Sequence, residues 1–401
     1  MTVLLPSLRS LFTDADVELL TELRRDLHQH PELSWKEERT ATRLAETVAA
    51  LGAMEVSRVA GTGVVARFRG RDSSAPLVAV RGDIDALPIE EATGLPFASS
   101  SPGVMHACGH DIHGTWAVGA ALLLSRVPAA GDVLVVLQPA EELGEGATAI
   151  LDSGALDDVK AIFGGHVDRR FPVGQIVADA GPLAASTDTF EIELVGKGAH
   201  GARPHESADP IVGAAAIISA LQTIVARRID PAAAAVVTVG TIHAGTASNI
   251  IPERAVLTGT LRATTPETRA AIGNEVARIA TSVAESYGLK AKATVHQGTP
   301  PIVNPPNASA WMRQAAASVL GSEAVVPFGV TNMGGEDFAF YLERMPGCFM
   351  RVGAREEGGE RLAAHSPRFT AAEESIFVGA AVLAESARVA SAALRDGASG
   401  A

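Results

Sequence analysis

The chain has 401 residues, 47% of them hydrophobic and 20% charged, and its 33 Lys and Arg against 46 Asp and Glu give a formal net charge of −13. That length suits about two or three domains with a large buried core. The acidic balance argues against nucleic acid as a partner, because phosphate binding needs a basic face. Aromatic residues are 4% of the chain, so the core is expected to be mostly Ala, Val, Leu and Ile. Two cysteines, Cys108 and Cys348, cannot build a disulfide framework and read as free thiols of a reducing compartment. Residues 1–10 lack a signal-peptide layout, and no uninterrupted apolar stretch reaches the ~18 residues of a spanning helix. A cytoplasmic location without a membrane partner is the expectation.

Leu19, Leu20, Leu23 and Leu27 recur at helical spacing until His30-Pro31 breaks the pattern. Ser34-Trp35-Lys36-Glu37 fits a capping box for a second helix through Leu44, Val48 and Leu51. His28 and His30, at the break, read as packing and loop contacts. Val64 to Phe68 and Pro76 to Val80 are strand candidates, the latter apolar without alternation, as in a strand buried on both faces. Asp83 and Asp85 follow it directly. Trp116 to Leu124 reads as a small-residue helix. Val133 to Leu137 is another buried strand, followed by Glu141-Glu142, and Ala161 to Phe163 a third, followed by Gly164-Gly165-His166.

From about 187 to 295 the rhythm changes. Alternation in Phe190 to Leu194, a helix capped by Asp209 with Pro210 first, strands at Val236 to Ile242 and Ala255 to Leu261, a helix opened by Thr265-Pro266 and a strand at Ala291 to Val295 give the order β-α-β-β-α-β. The spacing predicts a mainly parallel α/β sheet with flanking helices, interrupted by an inserted ferredoxin-like α+β domain. The expected boundaries are 1–183 for the first part of the catalytic domain, 184–297 for the insertion and 298–401 for the remainder. That remainder holds a helix over about 308–320, a strand near Val325, a short helix after Gly334-Gly335-Glu336-Asp337, a strand at Phe349 to Val352, a loop carrying His365 and a long helix over about 371–395.

Chemistry concentrates in Met105-His106-Ala107-Cys108-Gly109-His110-Asp111-Ile112-His113-Gly114, with three of the 11 histidines and one of the two cysteines. Thiolate and imidazole suit zinc and its first-row neighbours. Asp83, Asp85, Glu141, Glu142 and His166 sit just past predicted parallel strands, the edge where ligands bind in open α/β sheets. Cys108 and His110, two apart on an extended segment, point the same way. Glu142 and His166 come from neighbouring strand ends, and His365 from a late loop. Of the adjacent pair Glu141-Glu142, one can ligate metal while the other faces the bound water as general base, the alternative being a solvated pair that opens a loop. Asp83, Asp85, Asp111 and His113 read as ligands, partners that orient ligands, or structural groups. His200 alone reads as a loop histidine, and Glu336 and Asp337 as a helix start.

These motifs resemble the metal-dependent amidohydrolases and peptidases that include hippurate hydrolase, N-acyl-amino-acid amidohydrolases, aminoacylases and carboxypeptidase G. The resemblance is nearest to the hippurate hydrolase and indole-acetyl-amino-acid hydrolase branch. It is carried by Arg25 to His28 with Pro31-Glu32, Asp83 to Pro88, Met105 to His113, Gln138 to Glu142, Gly196 to His205, Ser248 to Pro252, Gly335 to Phe338 and His365 to Pro367, in order over nearly the whole chain. It implies a zinc-peptidase-like catalytic domain with an inserted lid that also dimerises. It implies two divalent metal ions (Zn, Mn, Co or Ni) held by Cys108, His110, Glu142, His166 and His365, with Glu141 as general base. It implies that His200, Asn249 and Arg262 bind the substrate carboxylate and the developing oxyanion. Val167-Asp168-Arg169-Arg170, Trp116 and Arg203 depart from the family's usual residues, which bears on substrate preference. The expected activity is amide hydrolysis of a small N-acyl amino acid, with a dipeptidase or carboxypeptidase as the alternative. A non-catalytic binding protein on this fold would have lost ligands, yet all five and the base are present.

Overall fold

The computed structural model describes residues 4–330 and 332–398. The elements, in chain order, are α1 (Asp14–Gln29), α2 (Glu38–Ala50), β1 (Glu55–Val59), β2 (Gly63–Phe68), β3 (Val78–Asp83), α3 (His110–Arg126), β4 (Val133–Gln138), α4 (Gly146–Asp152), β5 (Ala161–Pro172) and β6 (Ile176–Val177). They continue with β7 (Gly181–Ala184), β8 (Asp188–Val195), β9 (Ala199–His200), α5 (Pro210–Arg227), β10 (Ala235–Ala244), β11 (Ile250–Ile251), β12 (Arg254–Ala263), α6 (Pro266–Ser286) and β13 (Lys290–His296). The chain closes with β14 (Ile302–Asn304), α7 (Pro306–Leu320), α8 (Ala339–Leu342), β15 (Gly347–Arg355) and α9 (Glu374–Ala398).

These elements form two compact units. One comprises Met1–Gly181, Asn304–Gly329 and Asp337–Ala401; the other comprises Pro182–Val303 and Val330–Glu336. The first is built on a seven-stranded sheet of order β1-β2-β4-β3-β5-β15-β6. Its four central strands are mutually parallel, while β1, β2 and β6 pair antiparallel at the edges. Every residue of β3 and β4 is buried, which explains their unbroken apolar runs. Helices α3 and α9 pack on each other and on the central strands. From His110 to Leu124, α3 is buried on all sides, so its sequence shows little amphipathic pattern. Its Trp116, fully buried, lies against Gly379 of α9, where a Cβ would come within 2.3 Å of the indole.

The second unit carries a four-stranded antiparallel sheet of order β10-β12-β8-β13 with α5 and α6 packed on it. Asp209 accepts from Ile211 N–H and Thr265 from Thr268 N–H, so both helices start where the caps place them. Helices α5 and α9 are long and apolar enough to cross a membrane by composition alone. Here α9 is a core helix, and α5 buries Ala214, Ile217, Leu221 and Ile224 in its own unit's core.

Three local expectations fail. Ser34 does not cap α2; its hydroxyl donates to Asp85, and the reciprocal capping box lies at Thr13 and Asp16 of α1 instead. Val325 makes an isolated bridge to Ile176 and no strand, because the preceding turn leaves one residue in pairing register. Asp337 does not start a helix by capping; it is fully buried and accepts from Arg81 and Gln138. Truncating Trp116 to Ala should cost ~3–5 kcal/mol, since a large buried ring is replaced by a cavity. Urea unfolding of the metal-free protein checks this.

Candidate metal centre

The potential donors gather at the C-terminal edge of β3, β4 and β5. Asp83 is the last residue of β3, and the turn Pro139-Ala140-Glu141-Glu142 follows β4. Cys108 and His110 are not on an extended segment as expected. Gly109, at φ +94°, turns the chain so that His110 is the first residue of α3. A side chain there would also meet Val167 at 2.6 Å, so glycine serves both the turn and the close approach. His166 does not follow its strand but lies inside it, because β15 pairs with β5 past this point, with Arg351 opposite His166. Gly164 and Gly165 lie inside the strand as well. They make room for Phe338 and Met350, which a Cβ would meet at 2.6 and 2.5 Å.

Hydrogen bonds fix which ring atoms face inward. His110 Nδ1 lies 3.0 Å from Asp85 Oδ1, while its Nε2 is buried and has no hydrogen-bond partner among the described residues. His166 Nδ1 donates to the Val167 carbonyl at 2.7 Å, which turns Nε2 towards Cys108 Sγ, 3.1 Å away. Glu142 Oε1 is likewise buried without a hydrogen-bond partner and lies 3.4 Å from His365 Nε2 and 3.8 Å from His110 Nε2. His365, at φ +66°, is held by its N–H to the Ala107 carbonyl. Three donor groups result, each with all its atoms within 4.8 Å: Cys108, His110 and His166; Cys108, Glu142 and His365; His110, Glu141 and Glu142. Several of these donors serve more than one group.

This set fits soft-to-borderline divalent metal ions, since it combines one sulfur, three imidazoles and carboxylates, with His110 Nε2 and Glu142 Oε1 buried and without a hydrogen bond among the described residues. Burial and the neighbouring Glu142 push the Cys108 thiol up to about 12. Burial opposes charge on His110, but Asp83 and Asp85 outweigh it and raise its pKa well above the usual value.

Residues 79–388 match peptidase family M20/M25/M40. The chain belongs to that family. It is 40% identical to the N-acetyl-L-cysteine deacetylase of Bacillus subtilis over 371 residues, 92% of this chain and 87% of that one. It is 37% identical to thermostable carboxypeptidase 1 of Saccharolobus solfataricus over 369 residues, 90% of this chain and 92% of that one. Its fold matches the crystal structure of the Bacillus subtilis YXEP protein, a dinuclear metal binding peptidase, with a TM-score of 0.83 and 37% identity over 94% of this chain and 99% of that one. This M20 family member is a metal-dependent amidohydrolase, an enzyme of carbon–nitrogen bond hydrolysis.

In this M20 member the remaining sequence candidates take other places. His113 Nε2 accepts Val167 N–H at 3.0 Å, so its proton is on Nδ1, which donates to Asp83 at 2.6 Å. Both nitrogens are used, burial keeps the ring neutral, and it stacks on Trp116 at 4.4 Å. Asp83 is pinned by the fully buried Arg81, which also reaches Gln138 at 2.8 Å and Asp337 at 2.9 Å. Burial works against an ionised Asp83, but Arg81 outweighs it and holds the carboxyl well below the usual range. Asp85 divides itself between His110, the Ser34 hydroxyl and Glu142 N–H. Asp111 is occupied by Arg24 at 2.7 Å and His28 at 2.9 Å. His106 is buried with both ring nitrogens unpartnered among the described residues, and burial lowers its pKa to about 4. The sequence reading missed the roles of Arg81, Gln138 and Asp337. An arginine inside an apolar, doubly buried strand was the available signal, because such a charge has to be paired.

His200, Asn249 and Arg262 lie in the second unit. His200 is on β9, paired to Ile250 of β11, and its Nδ1 accepts Ala202 N–H at 3.0 Å. Asn249 is exposed and its carbonyl accepts Gly201 N–H. Arg262 is on β12, partly buried, with Nη1 3.4 Å from the Ser186 carbonyl. Arg203 is exposed beside Glu206.

Two outcomes follow. Asp85→Ala should weaken metal binding ~10–100-fold by freeing the His110 ring, as loss of a ligand's hydrogen-bond partner does; competition against a chelator measures it. Burial opposes ionisation of Glu91, but hydrogen bonds from His28, Thr93 and Ser99 N–H outweigh it and lower its pKa from 4.5 to about 2. Its folded pKa lies below the unfolded one, so its stabilisation is present above about 4.5 and lost as pH falls towards about 2. The stability gap between wild type and Glu91→Gln, read by urea unfolding at several pH values, should narrow over that window.

Proposed function

We propose that this amidohydrolase cleaves the amide of N-acyl amino acids, releasing a carboxylic acid and a free amino acid. The observation that carries the reading is the inward-facing, hydrogen-bond-free pair His110 Nε2 and Glu142 Oε1, set beside Glu141. Cys108, His110, Glu142, His166 and His365 would hold two divalent ions, of zinc, manganese, cobalt or nickel. When bound, such ions polarise the scissile carbonyl and make water acidic enough to attack at neutral pH. Glu141 is the general base. Its side chain is 10% exposed, its Oε1 lies 3.4 Å from Asp337 N–H, and its Oε2 faces His110 Nε2 at 3.8 Å. Oε2 takes the proton of the attacking water and returns it to the leaving nitrogen. His200, Asn249 and Arg262 are assigned to the substrate carboxylate and oxyanion on their match to the family's motifs.

The likeness to an N-acetyl-L-cysteine deacetylase supports an acyl-amino-acid substrate. The likeness to a carboxypeptidase favours a second reading, a dipeptidase or carboxypeptidase with the same site. A homodimer through the second unit is supported by β10, an edge strand of its sheet, and by exposed Ile211, Val212, Val225 and Ile242 on α5 and β10. Two buried free thiols support a cytoplasmic location.

Glu141→Gln should lose ~10²–10⁴-fold in turnover while keeping its metal. Elemental analysis beside assays of N-acetyl-cysteine, hippurate and dipeptides, before and after chelation, checks this. Full activity in the variant removes the base, and hydrolysis of dipeptides alone selects the second reading.

A further inference from the structure

The segment 34–37, read from sequence as a helix cap, does something else. Glu37 is fully buried. One carboxylate oxygen accepts Ala140 N–H at 2.9 Å and the other accepts the Thr62 hydroxyl at 2.6 Å. Ala140, also fully buried, has φ +51°, a left-handed conformation that an L-residue with a side chain disfavours. The turn around it is gripped from the other side as well. The Ala140 carbonyl accepts Glu145 and Gly146 N–H, and Gly144 N–H returns to the Glu141 carbonyl at 2.7 Å. A Cβ on Gly146 would lie 1.7 Å from the Pro139 carbonyl oxygen, so only glycine fits where the turn closes on itself. The same segment reaches the site twice more: Ser34 donates to Asp85, and Trp35 Nε1 to Glu145 at 2.7 Å.

We propose that Glu37 is a positioning residue for Glu141: by accepting Ala140 N–H it holds Ala140 in its left-handed conformation, which aims the next side chain at His110. This rests on the reading of Glu141 as the general base. The dihedrals of residue 140 set the direction in which the Glu141 side chain leaves the backbone. If Ala140 relaxes to an ordinary conformation, the Glu141 carboxylate moves away from the substrate. Alanine rather than glycine at this position makes the conformation depend on the clamp. Thr62 steadies the clamp by taking the second oxygen. Burial raises the pKa of Glu37, and the hydrogen bond to Ala140 N–H needs an acceptor oxygen but no negative charge.

The test compares Glu37→Ala, Glu37→Gln, Thr62→Val and the double variant Glu37→Ala/Ala140→Gly, each as metal-loaded full-length protein. N-acetyl-cysteine is the substrate, and amide hydrogen exchange at Ala140 is the readout that needs no activity. Glu37→Ala should lower kcat ~10–100-fold, the scale of loss for a misplaced catalytic group. KM should stay within about threefold and metal content at the wild-type level, as expected when only the placement of the base changes. Ala140 should exchange at least ~10-fold faster, as for an amide that has lost its buried acceptor. Glu37→Gln should return kcat to within about threefold of wild type, because its amide oxygen accepts Ala140 N–H and its NH2 donates to Thr62. Glycine at 140 takes positive φ without a Cβ penalty, so the double variant should regain ~10-fold over Glu37→Ala.

Wild-type kcat in folded Glu37→Ala, unchanged exchange at Ala140, or a Gln variant as impaired as the Ala variant would overturn the proposal. So would a loss explained by missing metal or raised KM. If Glu37→Ala does not fold, Thr62→Val leaves Glu37 in place and should still lower kcat about three- to tenfold through a loosened carboxylate; no loss there overturns it too. Glu141→Gln separates the two readings. Full activity in that variant removes the base, while faster exchange at Ala140 in Glu37→Ala judges the clamp by itself.

Discussion

The first unit depends on the neutralisation of one buried guanidinium. Arg81 lies with no exposure on β3, a central and wholly buried strand, and an unpaired charge there would cost several kcal/mol. Asp83, Asp337 and Gln138 answer it from β3, the α8 approach and β4. Each partner then has a fixed direction for its remaining hydrogen-bonding capacity. Asp83 spends its other oxygen on His113, and His113 accepts the backbone N–H next to His166. Asp337 accepts Ala147 N–H and presents its own N–H to Glu141. A charge needed for no contact with substrate thus sets both sides of the metal centre. It also occupies Asp83, whose two oxygens face Arg81 and His113.

Much of the fold was legible because its causes are local or periodic. Uniform burial of β3 and β4 produces apolar runs, and the caps at Asp209 and Thr265 start their helices where hydrogen bonding requires. The donors were legible for a topological reason: parallel strands place their ends on one edge, so Asp83, Glu141 and Glu142 converge despite their separation in sequence. What stayed hidden was decided by tertiary partners. Ser34 and Glu37 have the spacing of a capping box, but Asp85, Thr62 and Ala140 compete for their oxygens and win. The strand was expected to end at Phe163, whereas β15 pairing and the bulk of Phe338 and Met350 against Gly164 and Gly165 keep β5 running to Pro172. No sequence pattern distinguishes a glycine that turns a chain from one that makes room for a neighbour.

The histidines show how little residue type says about role. His110 and His113 are three apart on one helix, stand at 5.4 Å between ring centroids and both hydrogen-bond an aspartate through Nδ1. Only the second nitrogen separates them. In His113 it accepts a backbone N–H; in His110 it is left without a hydrogen bond. His28 differs again, since both its nitrogens face carboxylates, Asp111 and Glu91. Burial works against its charge, but those carboxylates outweigh it and raise its pKa. One ring chemistry therefore serves as a candidate donor to a cation, a neutral strut and a cationic tie.

The candidate metal centre sets proton and cation binding against each other. A thiol pushed up to about 12 by burial and Glu142 keeps its proton, and His110 gains one under the pull of Asp83 and Asp85. Those protons sit on the same atoms a divalent ion would occupy, so cation and protons compete for one set of lone pairs. Arg81 limits how far this goes, because it compensates the charge of Asp83. The carboxylates that remain face inward at the edge of the sheet, with 10% and 11% of their side chains exposed. A divalent ion bound between them and the imidazoles would add to the compensation that the Asp337 N–H and His365 already give, which ties the buried network beneath the sheet edge to the chemistry above it.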